Sequence, residues 1–481
     1  MATNRNRTIG FKHRTIFLLV AIQAFFLFLV GIAYQFLIVH RIDDDSSLSS
    51  PASRSLTSPL QKRILNQNNN SSSSSSNGKS NRPIIAYVVT LTGCGSEKRY
   101  NPASAMGLIT QGAAVLRHSI HLAHSQSSGS SKYDYEMYAL IHPSAVECSV
   151  DAMRRLGYKV LVRNTPFDDK DIRKEFLREH IDGASCCGRK EFIKLYAYTL
   201  TNHPIAVILD LDVLILQPLD DLFDAMLLDD YDVTNSNIPI HRKDIEEEDG
   251  TDENDNVTKQ KKKKWNKIDA FYTRDYNMVN PGGEKYAGVQ GGFLMVKPSE
   301  STFAEYVAIV LEGDYRQGKG WGGHYGYFFG GMQIQGICAY YYEGLHPNVG
   351  VELNRCRINS MVDNPHFQEK DDNEKKLHVG KCRDGRSDCE DCRSTNVQDV
   401  LSVHFTLCGK PWDCQTSWGV QSQDLCLKLH TEWFRIRRNF EESRGEDDAL
   451  RELPDLEGAY RPEHYFGYCT KPNRYLPIKV Q

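Results

Sequence analysis

Two aspartates interrupt an apolar run at residues 206–223, AVILDLDVLILQPLDDLF. A run this rich in Val, Ile and Leu predicts a strand that is buried on both faces of a parallel sheet. Because side chains alternate along a strand, we expect Asp210 and Asp212 to point the same way at its end. Such close like charges repel unless a cation lies between them, and divalent cations bind carboxylate oxygens and hold substrate phosphates. The alternative is a strand that has already ended, with both carboxylates in solvent.

A histidine and a lysine follow each other far along the chain, near a second short strand. In LSVHFTLCGKPWDC, residues 401–414, His404 lies on the expected strand and Lys410 lies in the Gly-Lys-Pro-Trp turn after it. An imidazole nitrogen can bind a metal, and an ammonium group can pair with phosphate. A lone histidine more often has a structural role.

Alternating strand and helix patterns supply the elements that must position these groups. Strands are predicted at residues 84–92, 135–142, 158–164 and 289–299, and helices at residues 112–124, 150–156, 192–200, 301–311 and 425–440. This alternation is typical of an α/β fold with a parallel, doubly wound sheet. Ligands of open α/β sheets bind outside the carboxyl ends of the strands, which is where the two aspartates are expected.

A glycine-rich stretch follows the strand at residues 289–299. Residues 313–331 contain eight glycines interleaved with aromatic residues such as Trp321 and Tyr325. The pattern fits either a mobile, aromatic-lined loop beside a ligand or an irregular surface loop. A Gly-x-Gly match inside it is weak evidence for a particular ligand.

The first 81 residues differ from the rest of the 481-residue chain. Residues 15–39 are 25 consecutive residues without a formal charge, and a helix of that length exceeds the ~30 Å hydrocarbon core of a membrane. A cleaved signal peptide would have a shorter apolar region followed by small residues. The basic residues before the segment predict a cytoplasmic tail at residues 1–14, a signal anchor and a lumenal body. Residues 40–81 are a polar, low-complexity stem that cannot form a core.

The body is expected to be one lumenal catalytic domain at residues 82–435, followed by a tail at residues 436–481. Within the domain, residues 241–267 are an acidic block followed by a basic one, which predicts a solvated loop insertion. The chain carries 58 basic and 62 acidic residues, a net charge of −4, so nucleic-acid binding is excluded for lack of a general basic field. The short tail, long anchor and stem are typical of a single-pass type II Golgi membrane protein, with the endoplasmic reticulum as the alternative.

The chain has thirteen cysteines, which predict disulfides in a lumenal protein. Their odd number leaves at least one cysteine unpaired. Cys389 and Cys392 form a C-x2-C pair that could bind zinc instead, although an oxidising lumen favours disulfides. Matches to the N-glycosylation motif at Asn69, Asn70 and Asn256 are compatible with the same compartment.

Four segments together resemble glycosyltransferase family 8, the glycogenin-like nucleotide-sugar transferases, over residues 84–415. Two segments are weak matches: VTLT with Gly112 and Ala113, which is similar to the family's first βα unit, and QGGFLMVKPS, where Gln290 stands in place of an asparagine. The other two segments are the D-x-D strand with Asp210 and Asp212, and the later HFTLCGKPW, in which Lys410 follows His404 by six residues. These two segments are fairly specific when they occur together in this order. The resemblance implies a GT-A fold, which is a Rossmann-like, mostly parallel sheet flanked by helices.

The resemblance also implies a role for each polar residue of the pattern. The diphosphate of a nucleotide sugar gains charge as the sugar leaves, so fixed positive charge is needed there. The implied ligands of a Mn²⁺ ion, which accepts both oxygen and imidazole, are Asp210, Asp212 and His404. The implied donor-binding residues are Thr90, Thr92, Lys194, Asp210, Asp212, Gln290 and Lys410. The implied reaction moves a sugar from a UDP-sugar to a glycan, protein or lipid acceptor with retention of configuration.

One departure from the family pattern affects the sugar side of the site. Where many members have Asp-Gln, this chain has Met332 and Gln333, so the usual carboxylate is missing and Gln333 is the expected catalytic residue. Methionine is a poor hydrogen-bond acceptor. One alternative is therefore a protein of this fold that binds nucleotide sugar or glycan without turnover. A second is a lumenal iron and 2-oxoglutarate oxygenase that uses His180, Asp182 and His241 as its facial triad.

Overall fold

The computed structural model describes residues 82–94, 102–125, 131–228, 237–241, 245–247, 260–262, 265, 267–326, 328–367, 380–414, 424–444, 465–471 and 474–478. These residues all belong to one compact unit, Ser76–Gln481. The expected anchor at residues 15–39, the stem and the motifs at Asn69, Asn70 and Asn256 lie outside the described residues. No helix within the described ranges has the length and apolar character that crossing a membrane requires.

The strands and helices follow each other along the chain in the alternation expected of an α/β fold. The strands are β1 (Ile84–Leu91), β2 (Asp134–Ile141), β3 (Lys159–Val162), β4 (Ala206–Leu209), β5 (Val213–Ile215), β6 (Ile245–Glu247), β7 (Gln260–Lys262), β8 (Ala270–Arg274), β9 (Val289–Val296), β10 (Tyr315–Arg316), β11 (Gly320–Trp321), β12 (Tyr325–Gly326), β13 (Gly350–Glu352), β14 (Ser402–His404), β15 (Cys469–Lys471) and β16 (Arg474–Tyr475). The helices are α1 (Pro102–Ser125), α2 (Val146–Arg155), α3 (Glu175–His180), α4 (Asp220–Leu227), α5 (Glu300–Glu312), α6 (Ile334–Ala339) and α7 (Asp424–Ser443). A long 3₁₀ helix spans Gly188–Thr199, where a helix was predicted at residues 192–200.

The central sheet has seven strands in the order β13-β8-β9-β4-β1-β2-β3. Strands β3, β2, β1 and β4 run parallel, and β13 runs parallel to β8. Strand β9 is antiparallel to both of its neighbours, β4 and β8. The chain passes from β8 to β9 through residues 275–288 without the crossover helix that a parallel connection needs, so β9 returns in the opposite direction. The mostly parallel sheet is confirmed, whereas a fully parallel one is not.

Each face of the central sheet is covered by its own apolar core. Along β1, Ile85, Tyr87 and Val89 belong to the core that packs α1, α2, α4 and α7. Ala86 and Val88 face the other way, into the core formed with the 3₁₀ helix, α5 and α6. The expected layers of helices on both faces of the sheet are therefore present.

The apolar run at residues 206–223 is two strands rather than the single strand predicted. Strand β4 lies in the central sheet, while β5 pairs antiparallel with β14 in a separate two-stranded sheet. The aspartates occupy the turn between them, where the Val213 N–H donates to the Asp210 carbonyl at 3.2 Å. Burying a charged carboxylate inside a strand is costly, so the chain changes direction where the charges occur. The expected position at the carboxyl end of a parallel strand is correct.

The C-terminal segment packs against the body. Helix α7 runs through the domain end expected at residue 435, and a disulfide joins Cys414 to Cys469. The Gln111 side-chain oxygen on α1 accepts hydrogen bonds from the Tyr475 hydroxyl at 2.7 Å and the Ile478 N–H at 2.9 Å. The domain boundary at 435 is therefore too early, because a covalent bond and buried hydrogen bonds hold the later residues.

The charged insertion at residues 241–267 contains secondary structure that charge patterning did not predict. Strands β6 and β7 pair antiparallel, with Glu246 opposite Lys261. The insertion therefore contains a pair of strands where a solvated loop was predicted.

Ten of the thirteen cysteines form disulfides, as predicted. The pairs are Cys94–Cys148, Cys356–Cys392, Cys382–Cys389, Cys408–Cys426 and Cys414–Cys469. Cys389 and Cys392 belong to different disulfides, so the zinc alternative for their C-x2-C pair is not supported. Cys186, Cys187 and Cys338 remain as free thiols.

Candidate functional site

Strand pairing brings His404 to the two aspartates, although 192 residues separate it from Asp212. Strand β14 pairs antiparallel with β5 in a register that places His404 opposite Val213. The next residue, Phe405, donates its N–H to the Asp212 carbonyl at 2.9 Å. The histidine therefore lies beside the turn that carries both carboxylates.

The ligand atoms of Asp210, Asp212 and His404 lie within 4.8 Å of one another. The His404 Nε2 atom is 3.3 Å from an Asp212 oxygen and 3.9 Å from an Asp210 oxygen. Two carboxylates and one imidazole nitrogen at these separations suit a divalent ion that accepts mixed oxygen and nitrogen ligation, such as Mn²⁺. The other ring nitrogen, Nδ1, is buried and has no hydrogen-bond partner among the described residues. The donor set thus fits the metal expected from the sequence.

Two lysines complete a group of four charged side chains and one imidazole, which we call the charged half of the site. The buried Lys194 ammonium donates to Asp210 Oδ1 at 3.0 Å and to the Gly291 carbonyl at 3.0 Å. It also lies 3.3 Å from Glu191 Oε1. Lys410, which is one-third exposed, donates to Asp212 Oδ2. The charged half is Asp210, Asp212, Lys194, His404 and Lys410.

These contacts determine how the groups ionise. Burial favours the neutral form of the Asp212 carboxyl, but His404 and Lys410 outweigh it and hold the pKa well below its usual range. Burial likewise favours neutral Lys194, but Asp210 and Glu191 raise the pKa of its ammonium above the usual value. The carboxylate and the ammonium therefore both stay charged at neutral pH. A site of this kind can bind a divalent cation and present fixed positive charge to a second anionic group.

Two glycines allow the backbone to approach this group closely. A Cβ on Gly112 of α1 would lie 2.5 Å from the Leu211 carbonyl oxygen, in the turn between the two aspartates. A Cβ on Gly292 of β9 would lie 2.3 Å from His404 Cε1. Both distances are shorter than a carbon atom can adopt. Only glycine therefore allows α1 to contact the aspartate turn and β9 to contact His404 this closely.

The threonines expected near the nucleoside lie at the end of β1. Val89 pairs with Leu209, the last residue of β4, so Thr90 follows this pair at the edge of the sheet where the aspartate turn begins. Two residues later, the Thr92 side chain is close enough to the Cys187 thiol to lower its pKa, and the Thr92 carbonyl accepts from the Ser144 hydroxyl at 2.9 Å. Thr90 therefore borders the charged half, whereas Thr92 faces a cysteine pair next to it.

Gln290 is buried beside His404 and binds protein groups. Its side-chain oxygen accepts from the Gly292 N–H at 2.6 Å and from Asn359 Nδ2 at 3.2 Å. Asn359 and Val362, in the segment that follows, have φ values of 52° and 60°. A β-branched residue such as Val362 rarely adopts this conformation, which costs about 1–3 kcal/mol. The packing around Gln290 therefore holds a strained backbone segment at the site.

Gln333, the expected catalytic residue, is fully buried and clamps a turn of the backbone. Its side-chain nitrogen donates to the Ala184 carbonyl at 3.2 Å and to the Gly188 carbonyl at 2.6 Å. Its side-chain oxygen has no hydrogen-bond partner among the described residues. Met332, at the position of the missing carboxylate, packs against the second apolar core. The structure thus places Gln333 next to the segment that leads to Lys194 rather than in contact with the charged half.

Sequence reasoning missed two residues that lie closer to the charged half. Glu191 contacts Lys194, and burial and the nearby Asp210 raise the pKa of its carboxyl. Gln335 lies on the other side of Gly291, where a Cβ would be 3.5 Å from Gln335 Cγ and 3.6 Å from Lys194 Nζ. The only signal for Glu191 was its spacing of three residues from Lys194 on a predicted helix. Gln335 had no signal beyond its separation of two residues from Gln333. With Gln290, Gln333 and Asn359, Gln335 forms what we call the amide half of the site.

The facial triad considered for an iron oxygenase is not assembled. His180 Nδ1 lies 2.8 Å from the Phe176 carbonyl, and Asp182 pairs with Arg189. His241 lies 3.5 Å from an Asp384 oxygen. Among the described residues, these three do not form a group with metal-binding separations. The mixed α/β sheet also differs from the jelly roll that this alternative requires.

Comparison with protein-family models gives no match, and comparison with curated proteins gives none either. Several solved structures are similar to the chain, and those named here are glycosyltransferases. An active-site mutant of LgtC is 12% identical over 76% of this chain and 99% of its own, with a TM-score of 0.37. The galactosyltransferase LgtC in complex with donor and acceptor sugar analogues is 13% identical with the same coverage and a TM-score of 0.35. Mouse xyloside xylosyltransferase 1 is 10% identical over 70% of this chain and 99% of its own, with a TM-score of 0.34.

Proposed function

We propose that this protein is a metal-dependent glycosyltransferase of GT-A fold, similar to family 8, that moves a sugar from a UDP-sugar to a glycan, protein or lipid acceptor. The observation that carries the proposal is the charged half of the site. Two carboxylates and an imidazole lie within 4.8 Å of one another, and two lysines contact the carboxylates. This combination occurs at the carboxyl end of a parallel strand, where open α/β sheets bind nucleotides.

Each residue of the charged half has a distinct task in such a reaction. Asp210, Asp212 and His404 would hold Mn²⁺, which supplies positive charge that stabilises the diphosphate as it leaves the sugar. Lys410 is the more exposed lysine and would move from Asp212 to the diphosphate. Lys194 is buried and bound on three sides, so it would keep Asp210 oriented and charged.

The amide half would receive the sugar. Amide side chains can donate to and accept from sugar hydroxyls without adding charge. Gln335 has a buried side-chain oxygen without a hydrogen-bond partner in the described part of the chain, which leaves it able to accept such a bond. Retention of configuration is the outcome that the resemblance to family 8 implies, and we include it in the proposal.

The proposed function is tested by the effect of ligands on the unfolding of a protein that begins at Arg82. UDP should raise the free energy of unfolding only when Mn²⁺ is present, by ~2.7 kcal/mol at a hundredfold excess over the dissociation constant. Stabilisation by Fe²⁺ with 2-oxoglutarate, and none by UDP with Mn²⁺, would contradict the proposal. A panel of UDP-sugars scored for donor hydrolysis would then identify the sugar.

A second candidate is a protein that binds a nucleotide sugar or a glycan without turnover. Met332 favours it, because an apolar side chain packed against the core stands where the family has a carboxylate. Donor hydrolysis separates the two candidates. Binding of UDP-sugars with Mn²⁺ but no release of UDP above the rate without protein, with any acceptor glycan, would favour the binding protein.

The proposal includes a single-pass type II arrangement in the Golgi membrane, with residues 1–14 cytoplasmic, residues 15–39 as the anchor and the catalytic domain in the lumen. Five disulfides support an oxidising compartment. Protease protection of the domain in intact microsomes, lost on adding detergent, would test the orientation.

A further inference from the structure

Two neighbouring thiols lie beside the candidate donor site. All thirteen cysteines are accounted for by five disulfides and three free thiols, and two of the free thiols are adjacent in sequence. Cys186 is exposed and Cys187 is partly exposed, whereas Cys338 is buried. The two side chains are close enough to influence each other's ionisation, and the Thr92 side chain is a further neighbour of Cys187. Reagents that react with thiols can therefore reach this pair.

The backbone around the two cysteines is held in a tight turn. The Gly188 N–H donates to the Ala184 carbonyl at 3.0 Å, and Ser185 adopts a φ of 48°. Gln333 donates to the carbonyls at both ends of the turn, as described above. From the opposite loop, the Gly330 N–H donates to the Ser185 hydroxyl at 2.6 Å. These bonds fix the turn on two sides, so the thiols stay close to each other.

The surroundings make the two thiols chemically different. The neighbouring Cys186 and Thr92 side chains lower the pKa of the Cys187 thiol to about 7, against opposition from burial and Glu191. The nearby Lys194 acts in the same direction. The pKa of the Cys186 thiol is raised, chiefly because the neighbouring Cys187 favours its protonated form. Cys187 is therefore the thiol of the pair that ionises more readily near neutral pH.

We infer that Cys186 and Cys187 form a reactive dithiol at the rim of the donor site, which exchanges with small disulfides and closes into a disulfide between the two neighbours. In the first step the Cys187 thiolate attacks one sulfur of a small disulfide, forms a mixed disulfide and releases one thiolate. In the second step the Cys186 sulfur, after losing its proton to solvent, attacks the Cys187 sulfur and releases the second thiolate. Overall, two protein thiols are oxidised, one small disulfide is reduced to two thiols, and the protons go to those thiols.

The disulfide formed in this way should be easily reduced. Neighbouring Cα atoms are about 3.8 Å apart, which is shorter than the separation of about 4.4–6.8 Å usual in disulfides. Strained disulfides are more oxidising than structural ones and serve as labile or regulatory bonds. The pair would thus cycle under conditions that leave the five other disulfides intact.

The test is a count of free thiols in the protein after exposure to oxidised glutathione in its folded state. The wild-type protein has three free thiols, and two should be lost while Cys338 remains. The matched control Cys338→Ser should lose both of its remaining thiols. A mild dithiol reductant should restore the two thiols before any structural disulfide opens. Retention of all three thiols in the folded protein would overturn the inference.

Single substitutions test the order of the two steps. Cys186→Ser should trap glutathione on Cys187 as a stable mixed disulfide, whereas Cys187→Ser should react at least about tenfold more slowly. In the wild-type protein, alkylation of Cys187 should follow a pH midpoint near 7, against about 8.5 for an ordinary thiol. Equal reaction of both variants with glutathione would contradict the assignment of Cys187 as the attacking thiol.

A final measurement separates this inference from the proposed function. If the donor site is as proposed, UDP with Mn²⁺ should slow the alkylation of Cys187. The reason is that Thr92, which is a neighbour of this thiol, is also one of the residues proposed to bind the donor. The dithiol chemistry itself needs no nucleotide. If the disulfide closes but UDP does not slow alkylation, the proposed donor site is contradicted and the inferred dithiol is supported. If UDP slows alkylation but no disulfide closes, the donor site is supported and the inferred dithiol is contradicted.

Discussion

The two halves of the candidate site are built on different physical principles. In the charged half, Asp210, Asp212 and their lysines hold one another in charged forms, and each depends on its neighbours' charge. In the amide half, Gln290 and Gln333 hydrogen-bond to backbone groups and act through packing. Substitutions in the first half should therefore change ligand binding at once. Substitutions in the second should act mainly through stability and position.

The largest effect is expected for Asp212→Asn. It removes one carboxylate of the metal set, so Mn²⁺-dependent UDP binding should be lost and donor turnover should fall at least about a hundredfold. Calorimetry with UDP and Mn²⁺ and a hydrolysis assay would measure the two losses. Asp151→Asn, an exposed change on α2, is the matched control and should leave both at wild-type levels. Wild-type binding by Asp212→Asn would show that the carboxylates have a structural role.

A smaller loss is expected for Lys410→Met, which removes the one-third exposed ammonium proposed to reach the diphosphate. UDP affinity should fall about tenfold to a hundredfold, and Lys410→Arg should recover part of it because the charge is kept. Lys428→Met, an exposed change on α7, serves as the control. If Lys410→Met bound UDP as well as the wild-type protein does, the charged half would not extend to this lysine.

Asp275 lies close to the amide half along the chain fold, and its carboxyl accepts a hydrogen bond from the Asn277 N–H at 3.1 Å. Its N–H donates to the Gly288 carbonyl at 3.0 Å, two residues before Gln290. Burial and the nearby Asp363 raise its pKa to about 6. A raised carboxyl pKa adds stability below the unfolded value of about 4, and that stability is lost as the pH rises through 6.

Asp275→Asn should therefore lower the free energy of unfolding most at pH 4 and least at pH 7.5, compared with the wild-type protein. The difference in the free energy of unfolding between the two proteins should change by about 2 kcal/mol over this interval. Chemical denaturation at several pH values would measure it, with the exposed Asp171→Asn as the control. A difference that stays constant with pH would mean that the carboxyl titrates normally.

The smallest effects are expected within the amide half, where two glutamines should behave differently. Gln333→Leu removes the donor to two backbone carbonyls and should lower the free energy of unfolding by about 1–2 kcal/mol. Gln335→Leu should have little effect on stability but should lower the donor turnover by severalfold. Thermal unfolding and steady-state kinetics would separate the two. A loss of turnover confined to Gln333→Leu, with unchanged stability, would restore Gln333 as the catalytic residue.

The charged half could be predicted from the sequence because charge conflicts with its surroundings. Carboxylates inside a run of Val, Ile and Leu need an explanation in any fold. His404 could bind the same metal ion as the carboxylates, and Lys410 could pair with a phosphate. The break between β4 and β5 could not be predicted, since apolar periodicity does not show where a strand changes partners. The reversed direction of β9 could not be predicted either, because side chains alternate between the two faces of a sheet in parallel and antiparallel strands alike. Disulfide partners also cannot be deduced from spacing.

The amide half was harder to predict because uncharged polar residues fit many environments. The amino-acid sequence alone does not distinguish Gln333 from Gln335. Gln333 hydrogen-bonds to the backbone of the turn that ends at Gly188, whereas Gln335 adjoins Gly291 near Lys194. Glu191 resembled an ordinary helix-surface residue three positions from a lysine. The closeness of Gly112 to the Asp210–Asp212 turn depends on how α1 docks, which is a tertiary property.

The contact of the C-terminal segment with Gln111 has a consequence for biosynthesis. Gln111 directly precedes the glycine that α1 presses against the aspartate turn, and Ile478 binds it from 367 residues further along the chain. During synthesis the first helix is made long before this partner leaves the ribosome, and domains that depend on such distant contacts fold slowly. The support of the candidate metal site is therefore completed only after residue 478 has been made, and a nascent chain that ends before this residue would have the aspartates but not their final support.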